Sequence, residues 1–77
     1  MAQGDRTLDL VGLKCPYPVL RARRAIAEVP VGGCLVIIAT DPLASLDLNH
    51  FCVESGHLME SETVQGERIT FTIRRGR

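Results

Sequence analysis

The chain holds no tryptophan, one tyrosine and two phenylalanines among its 77 residues. With so few aromatics, a surface that stacks nucleic-acid bases on aromatic platforms is not expected. It also lacks net charge: nine basic residues balance nine acidic ones, which argues against wholesale coating of nucleic acid or binding to an anionic membrane. Its longest apolar run, CLVIIA at 34–39, falls far short of the roughly 20 residues a membrane span requires. The opening MAQGDRTLDL has no basic stretch followed by an apolar one, so no signal peptide is expected. Cysteine is scarce and odd in number: Cys15, Cys34 and Cys52 cannot all pair, and no two are spaced as close metal ligands. Free thiols without an export sequence imply a reducing cytoplasm.

What is present is enough for one small domain over 1–77, burying only about 60% of its unfolded surface. TLDLVG (7–12) alternates polar and apolar residues and ends at glycine, which predicts a strand. From Pro16 to about Val29 the apolar residues Val19, Ala22, Ile26 and Val29 share one helical face. PVGG (30–33) breaks that helix. CLVIIA shows no alternation and reads as a strand buried on both faces. Asp41 and Pro42 read as the N-cap and first turn of a second helix, with Ala44, Leu48, Phe51, Cys52 and Ser55 as its inner stripe and Gly56 as its stop. HLMESETV and ERITFTIRR form two further strands joined at Gln65-Gly66. The expected fold is α/β: a two-layer sandwich in the order β-α-β-α-β-β, a mixed four-stranded sheet carrying both helices on one face.

The stretch that points to chemistry is GLKCPYP (12–18). With Pro16 as first helical residue, Cys15 would be the N-cap. There the helix dipole and the neighbouring Lys14 favour thiolate, with help from Arg21, and lower the pKa. Pro16 and Pro18 carry no N–H, so a thiolate framed by them finds few backbone donors to quench it. The position three beyond Cys15, where a dithiol oxidoreductase holds its second cysteine, is Pro18. No local dithiol chemistry can run.

LDLVGLKCPYPVL (8–20) resembles the Leu-Asp-x-x-Gly-Leu-x-Cys-Pro-x-Pro-Val signature of the TusA family of sulfur carriers, also described as SirA-like. GGCLVIIATDP (32–42), DLNHFCVESGH (47–57) and FTIRRG (71–76) extend the resemblance over almost the whole chain. It implies the same sandwich order and a role as sulfur carrier rather than turnover enzyme. Sulfane sulfur from a cysteine desulfurase or rhodanese-type donor would be held as a persulfide on Cys15 and passed to an acceptor thiol. The destinations in the family are tRNA thiolation, molybdenum-cofactor maturation and sulfur oxidation. No metal or organic cofactor is required, and the absence of a companion thiol protects the cargo. The chain departs from the pattern at Tyr17, Leu46 and Asn49, and of these Tyr17 borders the thiol.

Other residues have plainer readings beside the functional ones. Cys34 and Cys52 read as core. Asp47, His50 and Glu54 share a helix face and read as solvated charge rather than a metal corner. Arg21, Arg23 and Arg24 cluster on the first helix, so Tyr17, Arg21 and Arg24 are the candidate docking residues for an acidic partner patch. Arg74, Arg75 and Arg77 make a basic tail too short to bind RNA. A carrier of this size is expected to act as a monomer, without nucleic acid or membrane. The competing classes are a regulatory or RNA-associated module with a purely structural Cys-Pro-x-Pro, and a redox protein that pairs Cys15 with a distant cysteine.

Overall fold

The computed structural model describes residues 5–77. Its elements are β1 (Arg6–Leu10), α1 (Tyr17–Ile26), β2 (Cys34–Ala39), α2 (Leu43–Ser55), β3 (Leu58–Gln65) and β4 (Arg68–Arg74). The four strands form one mixed sheet in the order β1-β2-β4-β3. β1 runs parallel to β2, and β4 runs antiparallel to both of its neighbours. The β-α-β-α-β-β order and the mixed sheet match the expectation from the sequence.

Register explains where the core sits. Leu35 pairs with Ile73 and Ile37 with Phe71, so these four side chains leave the sheet on one face and are fully buried there. They meet Ala22, Ala25 and Ile26 of α1 and Ala44, Leu48, Phe51 and Cys52 of α2 in a single apolar cluster. The inner stripe of α2 is thus as its spacing predicts, apart from a half-buried Ser55. Gly56 ends that helix in the left-handed region, φ 77°, a conformation that costs an L-residue with a Cβ about 1 kcal/mol or more.

β2 corrects one expectation. It is buried on one face only: Leu35, Ile37 and Ala39 face the helices, while Cys34, Val36 and Ile38 are half-exposed on the other side. The unbroken apolar run reflects an open face shielded only by neighbouring strands, with Val36 between Thr7 and Thr72 and Ile38 between Asp9 and Thr70. Cys34 therefore is not a core residue. Its thiol lies 3.5 Å from Glu60 Oε1.

Arg74 and Arg75 of the basic tail are engaged by the fold. Arg74 belongs to β4, and its Nε donates to Glu60 Oε2 at 2.5 Å. Arg75 donates from Nη1 to the carbonyls of Ala27 and Val29, at 3.3 and 2.6 Å. Helix α1 ends at Ile26, earlier than its apolar periodicity suggests. Val29 stays buried beyond that end, and Arg75 satisfies the carbonyls of Ala27 and Val29 in the turn that follows the helix.

Candidate functional site

β1 and β2 run parallel, so the loops that leave their carboxyl ends lie side by side. That end of an open α/β sheet is where such folds place ligands and reacting groups. The two loops are tied together by backbone-to-side-chain hydrogen bonds. Gly12, at φ 86°, donates its N–H to Thr40 Oγ1 at 2.9 Å. Cys15 donates its N–H to Asp41 Oδ2 at 2.6 Å, and Leu43 donates to Asp41 Oδ1 at 3.1 Å. One carboxylate thus holds the cysteine loop and the start of α2 together. The backbone bonds from Cys15 and Leu43 hold the Asp41 carboxyl below its ordinary value, and the charge of Lys14 adds to the effect.

Both helix starts are displaced by one residue from the sequence reading. Pro16 is the N-cap of α1 and Tyr17 its first residue, so Cys15 stands just outside the helix and Pro18 is second, not third. The Cys15–Pro16 peptide is cis. The Tyr17 N–H is taken by the Lys14 carbonyl at 2.8 Å, and Pro18 has none to offer. Pro18 is fully buried and so packs as well as frames. In α2, Pro42 is the N-cap and the helix starts at Leu43. Asp41 nonetheless serves the first turn from one position further out.

Cys15 is exposed, at the rim of an open cleft of about 200 Å³ between the two helices. Pro16, Val19 and Arg23 line it from the α1 side, and Asp47, His50, Phe51 and Glu54 line it from α2. The Arg23 guanidinium lies over the Phe51 ring, 5.0 Å from its centroid, a placement that favours the cation. Asp47 Oδ2 is buried and has no settled hydrogen-bond partner. Cys15 lines the same cleft as that carboxylate.

This arrangement overturns the expected thiolate. The Cys15 pKa is raised above that of an ordinary cysteine thiol, first by the proton-accepting Asp47 carboxylate, then by desolvation and by the charges of Asp47 and Asp41. Carboxylates disfavour a neighbouring anion and welcome its proton. Lys14 and Arg21 do not offset them. Lys14 lines a separate cleft with Thr40, Pro42 and Glu67, and Arg21 and Arg24 line a groove with Arg6 and Glu28. Tyr17 is exposed next to the thiol.

Of the other thiols, Cys52 is buried, and desolvation pushes it up to about 11. Cys34 is raised too, by desolvation and then by its bond to Glu60. All three cysteines are free. Among the described residues, no group of three or more His, Cys, Asp or Glu side chains is arranged to hold a metal ion. No helix there is long and apolar enough to cross a membrane.

The sequence reading missed the α2 side of the cleft. Asp47, His50 and Glu54 appear in it as solvated charge, yet the fold sets Asp47 and His50 around the thiol. Their spacing of three and four residues already placed them on one helix face. That this face turns towards Cys15 is a matter of tertiary packing.

An open cleft at paired loop ends, rimmed by one exposed thiol with no companion sulfur, defines a small α/β protein with a single cysteine at its candidate site. Residues 6–75 match the family model Sulfurtransferase TusA, and the chain belongs to that family. A protein of Neisseria meningitidis serogroup A is 40% identical over 69 residues, which is 90% of this chain and 93% of the relative. Sulfur carrier protein TusA of Pseudomonas syringae pv. syringae is 39% identical over 71 residues, 92% of this chain and 84% of the relative. The crystal structure of a SirA-like protein from Desulfitobacterium hafniense superposes with a TM-score of 0.81 at 27% identity, covering 94% of this chain and 99% of that one.

Proposed function

We propose that this protein is a sulfur carrier, with Cys15 holding the sulfur as a persulfide. One observation carries the reading: the thiol of the family's Cys-Pro-x-Pro motif is exposed at an open cleft, while Cys52 is buried and Cys34 lies on the opposite face of the sheet. The relatives named for sulfur carriage support it. Cys15 attacks the outer sulfur of a donor persulfide, and an acceptor thiol later attacks that same sulfur on Cys15. Each exchange is a substitution at sulfur that needs access and deprotonation and no cofactor. Access is supplied by the cleft, whose openness fits a reaction completed between two proteins.

The donor is a cysteine desulfurase or rhodanese-type protein, and the acceptor serves tRNA thiolation, molybdenum-cofactor maturation or sulfur oxidation. Tyr17 borders the thiol and Arg21 and Arg24 stand exposed on α1, so these form the docking rim for an acidic partner surface. The protein works in the cytoplasm as a single carrier domain over 1–77. Intact mass after incubation with a cysteine desulfurase, pyridoxal phosphate and cysteine tests the reading. A gain of one sulfur, lost in Cys15→Ser, is expected; loss of two hydrogens would indicate a disulfide protein instead. No gain from several desulfurases or from a small persulfide would sink the carrier reading.

A further inference from the structure

A thiol must lose its proton to attack a donor persulfide. The molecule offers one group placed to take it. Asp47 projects from the second turn of α2 into the cleft that holds Cys15. Its Oδ2 is buried with no committed donor, although acceptors so buried normally have one. The other charged groups about the cleft are worse placed for the task. Arg23 cannot accept a proton and lies over Phe51. His50 is directed towards Glu54, Nε2 to Oε2 3.7 Å. Asp41 is already engaged at both oxygens by backbone N–H groups.

Resting on the carrier reading, we propose that Asp47 is the proton acceptor for Cys15 during sulfur loading. In that step a bond forms between Cys15 Sγ and the outer sulfur of the donor persulfide, and the donor's S–S bond breaks. The inner donor sulfur leaves with the bonding pair as a thiolate, while the Cys15 proton moves to Asp47. Cys15 is oxidised to the persulfide level and the donor's inner sulfur is reduced to the thiol level, so no outside oxidant is needed. Asp47 then returns the proton to the departing thiolate.

The test compares wild type, Asp47→Asn and Asp47→Glu, each checked for its fold by circular dichroism. Loading is followed by intact mass at pH 7 with glutathione persulfide as donor, and thiolate content by the pH dependence of iodoacetamide alkylation. Asp47→Asn is expected to alkylate at lower pH than wild type, since the anion beside the sulfur is gone. It is also expected to load sulfur more slowly, by about a hundredfold, the lower end of the usual contribution of a positioned base. These opposite shifts separate a proton acceptor from a merely structural residue. Asp47→Glu keeps the carboxylate and should keep most of the loading rate. Loading by Asp47→Asn at or above the wild-type rate overturns the proposal, as does equal loss in both variants. Failure of wild type itself to load counts instead against the carrier reading.

Discussion

Leu48 lies one residue from Asp47 on α2, is fully buried, and ties the helix to the core. Replacing it with alanine removes most of an apolar side chain from a closely packed cluster and leaves a cavity that the sheet below can only partly fill. Substitutions of this kind cost about 2.7–5.0 kcal/mol in a well-packed host, and about 3 kcal/mol is expected here, where Ala22, Ala25 and Ala44 leave little bulk to move inwards. For 77 residues the whole stability is on the order of 4–12 kcal/mol. The substitution therefore removes about a quarter or more of it and lowers Tm by roughly 12–24 °C. With no tryptophan and an exposed tyrosine, fluorescence reports poorly on unfolding. Urea melts followed by far-ultraviolet circular dichroism are the suitable assay. Leu46→Ala, two positions away and exposed, serves as control and should stay within about 0.5 kcal/mol. A loss below about 1 kcal/mol at Leu48, or an equal loss at Leu46, would refute the assignment of α2's buried face.

Under native conditions iodoacetamide should label Cys15 first, Cys34 slowly and Cys52 only on unfolding, as read by peptide mass; rapid native labelling of Cys52 would contradict its burial. Alkylation of Cys15 should rise about tenfold per pH unit through neutrality, with a midpoint above that of an ordinary cysteine thiol; a midpoint at or below the ordinary value would show that its carboxylate neighbours do not govern it. His57 is held below 6.5 by burial and by the charges of Arg75 and Arg77, so the fold resists its protonation. Stability should be undiminished above pH 6.5 and decline as pH falls through the lower folded value. Urea melts of His57→Gln should show that part of the decline removed. In Gly76→Ala the new methyl would collide with the Gly56 carbonyl oxygen. Because backbone opposes it, the variant should lose the Gly76 N–H bond to His57 Nδ1, at 3.0 Å in the native chain, and melt earlier; an unchanged Tm would show that the closing segment gives way freely.

Local pattern alone determined a good deal of this protein. Alternation in ERITFTIRR, the helical stripe Ala44–Leu48–Phe51–Cys52 and the glycine at 56 each specify an element, because burial on one face and a left-handed stop depend on neighbours in the chain. The single cysteine before Pro-x-Pro, and the missing second thiol, singled out the candidate site for a similarly local reason. Tertiary structure decided the rest. Residues 34–39 are apolar throughout, and only the placement of both helices on one side shows that Cys34 faces away from them. Asp41 and Cys15 are 26 positions apart, and Asp47 lines the same cleft as Cys15 only because α2 packs beside the start of α1. Electrostatics is summed over space rather than along the chain, so the ionisation of Cys15, favoured by Lys14 and the helix start in the sequence, is opposed by the carboxylates of Asp41 and Asp47.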